Sequence, residues 1–216
     1  MKLFIWDFHG VLEKGNENSV WEISNLALKK LGFTREMSIE ENNQLYGKKW
    51  FQYFEYLLPS ESHETHLKLQ ATCLEIEEEK PELVSKHIKT NDYVFEILET
   101  ISQKHHQILI SNSHSEALNN FISLTKLNRY FTENNTFSTN SHLHPEKITK
   151  KDILINYLKD NPIFDEFVTI GDSPVDMEIV GKNQGKHYLY SHPHLNFRDC
   201  DADFKIHDLR EVLKEI

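Results

Sequence analysis

Three short apolar runs in this chain end abruptly in small or acidic polar residues, and that pattern limits the fold more than any other feature. Leu3-Phe4-Ile5-Trp6 runs into Asp7 and then His9-Gly10, Gln107-Ile108-Leu109-Ile110 into Ser111-Asn112-Ser113, and residues 164–170 into Gly171-Asp172. Short, largely apolar runs of this length suit strands covered on both faces. Residues 186–190 read as a fourth such strand. Between them lie stretches of helical period. Val20, Ile23, Leu26, Ala27 and Leu31 precede a stop at Gly32, and Val94, Ile97, Leu98 and Ile101 form a second stripe. Further helices are expected over residues 116–124, 149–158 and 209–215. Strands alternating with helices predict an α/β chain with a Rossmann-like parallel sheet. Ligands bind such sheets outside the carboxyl ends of the strands, which directs attention to Asp7, Ser111 and Asp172.

One long segment breaks the alternation. Residues 38–89 are rich in Glu, Lys, Gln and Leu, are punctuated by Pro59 and Pro81, and contain no strand pattern. The expected organisation is therefore a core of residues 1–14 and 91–216 with an all-helical insert over 15–90. Within the insert, Trp50, Phe51, Tyr53, Phe54 and Tyr56 read first as the insert's own core, with a binding surface as the alternative. The run from Glu75 to Glu79 reads as a solvated helix face.

Composition excludes several classes. A formal net charge of −10 argues against a nucleic-acid binder, which needs a basic footprint to displace counterions. No apolar stretch approaches a membrane span, and the N-terminal run is too short for a signal peptide, so a cytoplasmic location is expected. The two cysteines, Cys73 and Cys200, form no CxxC pair, and reduced thiols are expected. The 13 histidines are scattered, and His105-His106 and His192-Pro193-His194 read as surface. Oligomeric state is not legible.

The chemistry gathers at the strand ends. Asp7, Asp172 and Asp176 are carboxylates that would repel one another in one cleft unless a cation lay between them. A helix starting near Ser173 would let Asp172 and Asp176 project to the same side. Oxygen-only ligands favour a hard ion such as Mg²⁺.

Trp6-Asp7-Phe8-His9-Gly10-Val11-Leu12, Ile110-Ser111-Asn112, Lys150 and Gly171-Asp172-Ser173-Pro174-Val175-Asp176 resemble, in order and spacing, the four motifs of the haloacid dehalogenase superfamily. The insert sits where capped members carry a helical cap. The resemblance implies a Mg²⁺-dependent phosphatase acting on a phosphate monoester, either a small metabolite or a phosphorylated side chain such as phosphotyrosine. Asp7 would be the nucleophile, forming an aspartyl-phosphate. Asp7, Asp172, Asp176 (directly or through water) and the main-chain carbonyl of His9 would hold the metal. Ser111 and Asn112 would meet the phosphoryl group, and Lys150 would neutralise it and steady the nucleophile. Lys147 and Lys151 compete for that last role, but Lys150 best matches the pattern Lys-x-acidic-Ile-Leu. The resemblance also implies that the cap closes over the substrate and that residues 46–51, with Lys48, Lys49 and Trp50, can face it.

His9 departs from the pattern, since family phosphatases usually carry a second Asp two residues after the nucleophile. Three readings stand. Imidazole, with an ordinary pKa of ~6.5, takes over the acid/base role; the leaving group is an aryl phosphate needing little help; or the chain is a catalytically weak phosphate- and metal-binding module. A metal-independent dehalogenase is a further alternative, one that leaves Asp172 and Asp176 unexplained.

Overall fold

The computed structural model describes residues 1–140, 148–181 and 183–216. In chain order the elements are β1 (Lys2–Trp6), α1 (Asn16–Lys30), α2 (Ile39–Leu45), α3 (Trp50–Leu57), α4 (His63–Glu79), α5 (Glu82–Ser85), α6 (Val94–Ser102), β2 (His106–Ser111), α7 (Ser115–Leu124), β3 (Thr136–Ser138), α8 (Lys150–Asp160), β4 (Glu166–Gly171), α9 (Pro174–Met177), β5 (Gly185–Tyr190) and β6 (Phe204–Ile206). A 3₁₀ segment, Leu209–Glu215, follows. The chain divides into two compact units, Met1–Glu13 with Lys89–Ile216, and Lys14–Ile88.

The first unit is built on a six-stranded sheet of order β3-β2-β1-β4-β5-β6, with every adjacent pair parallel. β1 lies near the centre and is buried on both faces, which is why it reads as an unbroken apolar run. Leu3 and Ile5 join Ile108, Ile110 and Leu154 of α8 in a core on one face. Trp6 projects to the other face, where its Nε1 donates to Gln107 Oε1 at 3.0 Å. Gln107 Nε2 in turn donates to Leu98 O of α6 at 2.8 Å. Helices thus cover both faces, as a parallel sheet requires.

Two sheet strands escape the sequence pattern. β3 and β6 are edge strands of three residues each, Thr136-Phe137-Ser138 and Phe204-Lys205-Ile206, too short and too mixed to give an apolar run.

Beyond Lys14, which belongs to a two-residue strand, the regular elements of the second unit are the helices α1 to α5. α4 packs on both α1 and α3, and its inward residues Leu69, Cys73 and Ile76 recur at helical spacing. Ser38 and Glu41 close a capping box at the start of α2. The aromatic stripe divides: Tyr53 and Phe54 are buried, Trp50 and Phe51 half-buried, and Tyr56 exposed.

Both cysteines are free thiols. The surface reading needs correction at His192, which is buried, as are His66 and His187. Each has a partner at one ring nitrogen: His66 with Leu58 O, His187 with Val180 O, and His192 with the Tyr190 hydroxyl. Among the described residues, no helix is long and apolar enough to cross a membrane.

Candidate active site

β1, β2 and β4 are neighbours in register, with Trp6 opposite Leu109 on one side and Ile170 on the other. Their carboxyl ends are therefore level, and Asp7 N donates to Ile170 O at 2.9 Å just where the strands stop. Beyond Asp7 the chain turns through Phe8–Leu12, with Gly10 in the left-handed region at φ 72°. Gly10 is required twice over. That backbone conformation favours glycine, and a Cβ there would lie 2.5 Å from Asp172 Oδ2. Gly171 answers a similar demand, since a Cβ on it would fall on the side chain of Asp176.

Lys150 sits at the first position of α8. Thr149 caps that helix, its Oγ1 accepting from Asp152 N at 3.1 Å while Asp152 Oδ2 accepts from Thr149 N at 2.9 Å. A cation at a helix N-terminus opposes the helix dipole. Here it is offset by two carboxylates, because Lys150 Nζ donates to Asp7 Oδ1 and to Asp176 Oδ1, each at 2.6 Å. The lysine is 2% exposed. Burial alone would push its pKa down, but Asp176 and Asp7 outweigh burial and hold the ammonium above its usual value.

Asp176 is fully buried, and its other oxygen, Oδ2, accepts from Ser173 N at 3.1 Å and Ser173 Oγ at 2.6 Å. Both oxygens are thus committed within the protein. Asp172 is bound through Oδ2 by Arg198 Nη2 at 2.7 Å. Burial raises its pKa to about 7, with the pull of Arg198 opposing and the charges of Asp7 and Asp176 reinforcing the rise. Asp7 moves in the same direction, chiefly by burial, against Lys150. One oxygen from each of Asp7, Asp172 and Asp176 lies within 4.8 Å of the other two.

His9 extends from the same turn. Its Nδ1 lies 3.3 Å from Oε1 of the buried Glu13, which also accepts from Gly10 N at 2.9 Å. The imidazole packs edge-on to Phe121 of α7, with ring centroids 4.8 Å apart. Ser111, at the end of β2, is buried; its Oγ donates to Ser113 Oγ and accepts from Ser113 N, both at 3.2 Å. Asn112 Oδ1 accepts from Thr139 Oγ1 at 3.1 Å. His114 is exposed at the N-cap of α7.

The structure thus brings Asp7, Lys150, Asp172 and Asp176 into one ion-paired cluster, places His9 on the turn that follows Asp7, and sets Ser111 and Asn112 at the end of the adjacent strand. Lys151 is exposed on α8, and Lys147 lies outside the described residues. Two participants lie outside the sequence motifs. Glu13 reads as an ordinary polar residue after Val11-Leu12, and Arg198 follows β5 in a loop that carries no pattern. The available signal for Arg198 was its place after the carboxyl end of another strand of the same sheet.

A hard divalent cation fits this donor set. The ligands offered are oxygens, and the site is crowded to the point that a Cβ on Gly10 would press on Asp172. Carboxylate oxygens of Asp7 and Asp172 and the main-chain carbonyl of His9 would hold the ion. Asp176, whose oxygens also accept from Lys150 and Ser173, would complete the site directly or through water.

Comparison with known proteins agrees with this picture. The sequence profile of the haloacid dehalogenase-like hydrolases matches residues 4–189. Among solved structures, the chain is similar to a haloacid dehalogenase-like family hydrolase from Streptococcus pneumoniae at 14% identity, with 99% of this chain and 97% of the other covered and a TM-score of 0.73. It is similar to a hydrolase of the same family from Deinococcus radiodurans, solved with bound phosphate and sodium, at 15% identity, 99% and 95% coverage and a TM-score of 0.68. It is also similar to a predicted phosphoglycolate phosphatase from Haemophilus somnus at 15% identity, 99% and 96% coverage and a TM-score of 0.73. At these identities the likeness to solved structures is one of fold. Comparison with curated protein sequences finds no match.

Proposed function

The chain belongs to the haloacid dehalogenase-like hydrolases, and from that premise we propose that it is a Mg²⁺-dependent phosphatase that hydrolyses a phosphate monoester through an aspartyl-phosphate on Asp7. The observation that carries this reading is the bridge from Lys150 Nζ to Asp7 Oδ1 and Asp176 Oδ1 at 2.6 Å, beside Asp172. It fixes the orientation of one buried carboxylate among groups suited to a phosphoryl dianion. The bound phosphate of the Deinococcus radiodurans relative and the phosphatase description of the Haemophilus somnus relative support the same class of substrate.

Mg²⁺, when bound, would offset the charge on the phosphoryl oxygens and so reduce their repulsion of the nucleophile. Asp7 attacks phosphorus and takes the phosphoryl group, and the phosphorus–oxygen bond to the leaving alcohol breaks. Lys150 holds Asp7 in one orientation and supplies a fixed positive charge in a dry site, where it needs no reorganisation as charge develops. Ser111 and Asn112, at the end of β2, would donate to phosphoryl oxygens, Ser111 by turning its hydroxyl from Ser113.

His9 supplies the proton transfers. With Nδ1–H donating to Glu13, Nε2 becomes the nitrogen that protonates the leaving oxygen and then accepts a proton from the attacking water. Glu13 fixes the tautomer and stabilises the imidazolium, as a buried carboxylate does for a catalytic histidine elsewhere. This contact favours the acid/base reading of His9 over the binding-module reading.

The test is release of inorganic phosphate from a generic aryl phosphate. Turnover is expected with Mg²⁺ and is expected to be lost with EDTA and in Asp7→Asn. Mg²⁺ and phosphate binding without turnover, unchanged in His9→Asp, would instead make the chain a binding module.

A further inference from the structure

The helical unit carries a second group of metal-ligand type, well away in sequence from the strand-end motifs. Glu55 lies near the end of α3, and His63 and His66 lie in the first turns of α4. One ligand atom from each is within 4.8 Å of the other two. The i, i+3 spacing of the histidines puts both on one face of α4, and the turn between the helices brings that face to Glu55.

Two details suit this group to a metal ion. His66 is 4% exposed, and its Nε2 lies 2.9 Å from Leu58 O. A carbonyl oxygen can only accept, so Nε2 is the protonated nitrogen and Nδ1 carries the lone pair. That Nδ1 is buried and has no hydrogen-bond partner. A histidine that donates one ring N–H to a main-chain carbonyl and presents the other nitrogen bare has the arrangement that metal-ligating histidines adopt. The second detail is the spacing of the other pair. His63 Nδ1 and Glu55 Oε1 are 3.2 Å apart, and ligands of one tetrahedral zinc ion stand about 3.4 Å apart for bonds of ~2.0–2.1 Å. Both side chains are exposed at their ends, 62% for His63 and 44% for Glu55, and are able to adjust around an ion.

We propose that Glu55, His63 and His66 hold a divalent first-row transition-metal ion of the zinc class, and that this ion ties the end of α3 to the start of α4. Two imidazoles and one carboxylate suit zinc and its neighbours, whereas Mg²⁺ prefers an all-oxygen set. His66 binds through Nδ1, gaining the partner that the nitrogen lacks. The three ligands leave a fourth position for water.

The experiment is Zn²⁺ titration of the full chain after chelator treatment, in buffer saturated with Mg²⁺ so that the oxygen-only cluster is occupied by its own ion. Wild type is expected to take up one equivalent of Zn²⁺ more than His63→Ala or Glu55→Gln, and to gain thermal stability that neither variant gains. Removal of a direct ligand should weaken binding by more than the ~10–100-fold typical of losing an outer partner. Both substituted residues are exposed, so the variants are expected to fold, as far-ultraviolet circular dichroism would verify. Zn²⁺ uptake that is the same in wild type and both variants, or absent from all, would overturn the proposal.

Discussion

At the scale of single residues, charge in the site is held by buried partners rather than by bulk solvent. Lys150 is buried, yet it stays charged because two carboxylates each take one of its protons in a hydrogen bond at 2.6 Å. His9 has a counterpart in Glu13. Replacing His9 by Ala should lower kcat by ~10²–10⁴-fold, the usual cost of losing a general acid or base. Glu13→Gln should lower kcat while leaving KM nearly unchanged, because His9 loses the partner that holds its ring; an unchanged kcat would remove Glu13 from the mechanism. Asp172 gives a prediction with a definite sign. Its pKa is raised from 3.8 to about 7 in the folded protein. The metal-free fold therefore holds a proton that the unfolded chain has already released, and the stability this contributes is present at low pH and lost as pH rises from about 4 through about 7. Bound Mg²⁺ would replace the proton. Melting temperature measured against pH should fall across that window in EDTA and fall less in Mg²⁺, and Mg²⁺ affinity should weaken below pH 7.

At the scale of elements, the site depends on two glycines and a cap. Gly171 ends β4 with the Asp176 side chain against it, so Gly171→Ala forces either the strand end or α9 to move. Overpacking of this kind typically costs ~1–3 kcal/mol. The urea midpoint should drop accordingly, and activity should drop further, because Asp176 anchors Lys150. Thr149→Ala removes the side-chain cap of α8 and should cost about 1 kcal/mol. The same elements explain what the sequence disclosed and what it withheld. Asp7, Ser111 and Asp172 were legible because β1, β2 and β4 are interior strands, whose largely apolar runs make the polar residue at the strand end stand out. Lys150 was legible only by resemblance, since nothing in a run of lysines says which one turns inward. Glu13 and Arg198 were not legible, because a buried ion partner on a turn or loop leaves no periodic trace. The edge strands β3 and β6 went unread for want of length, and the buried His66 because one histidine on an amphipathic helix looks like any other polar residue.

At the scale of the whole molecule, a negative chain has to accept a negative substrate. The net charge of −10 includes the carboxylates that a metal would satisfy. Mg²⁺ should stabilise the fold by mass action, by roughly 2.7 kcal/mol at a hundred times its Kd, and Asp172→Asn should remove most of that gain. The measurement that bears most directly on the central claim is the mass of the peptide containing Asp7, taken from enzyme acid-quenched during turnover of an aryl phosphate with Mg²⁺. The account predicts that wild type carries one added phosphoryl group on Asp7, and that Asp7→Asn carries none and releases no phosphate. Steady phosphate release with Asp7 never modified, or undiminished release by Asp7→Asn, would contradict it.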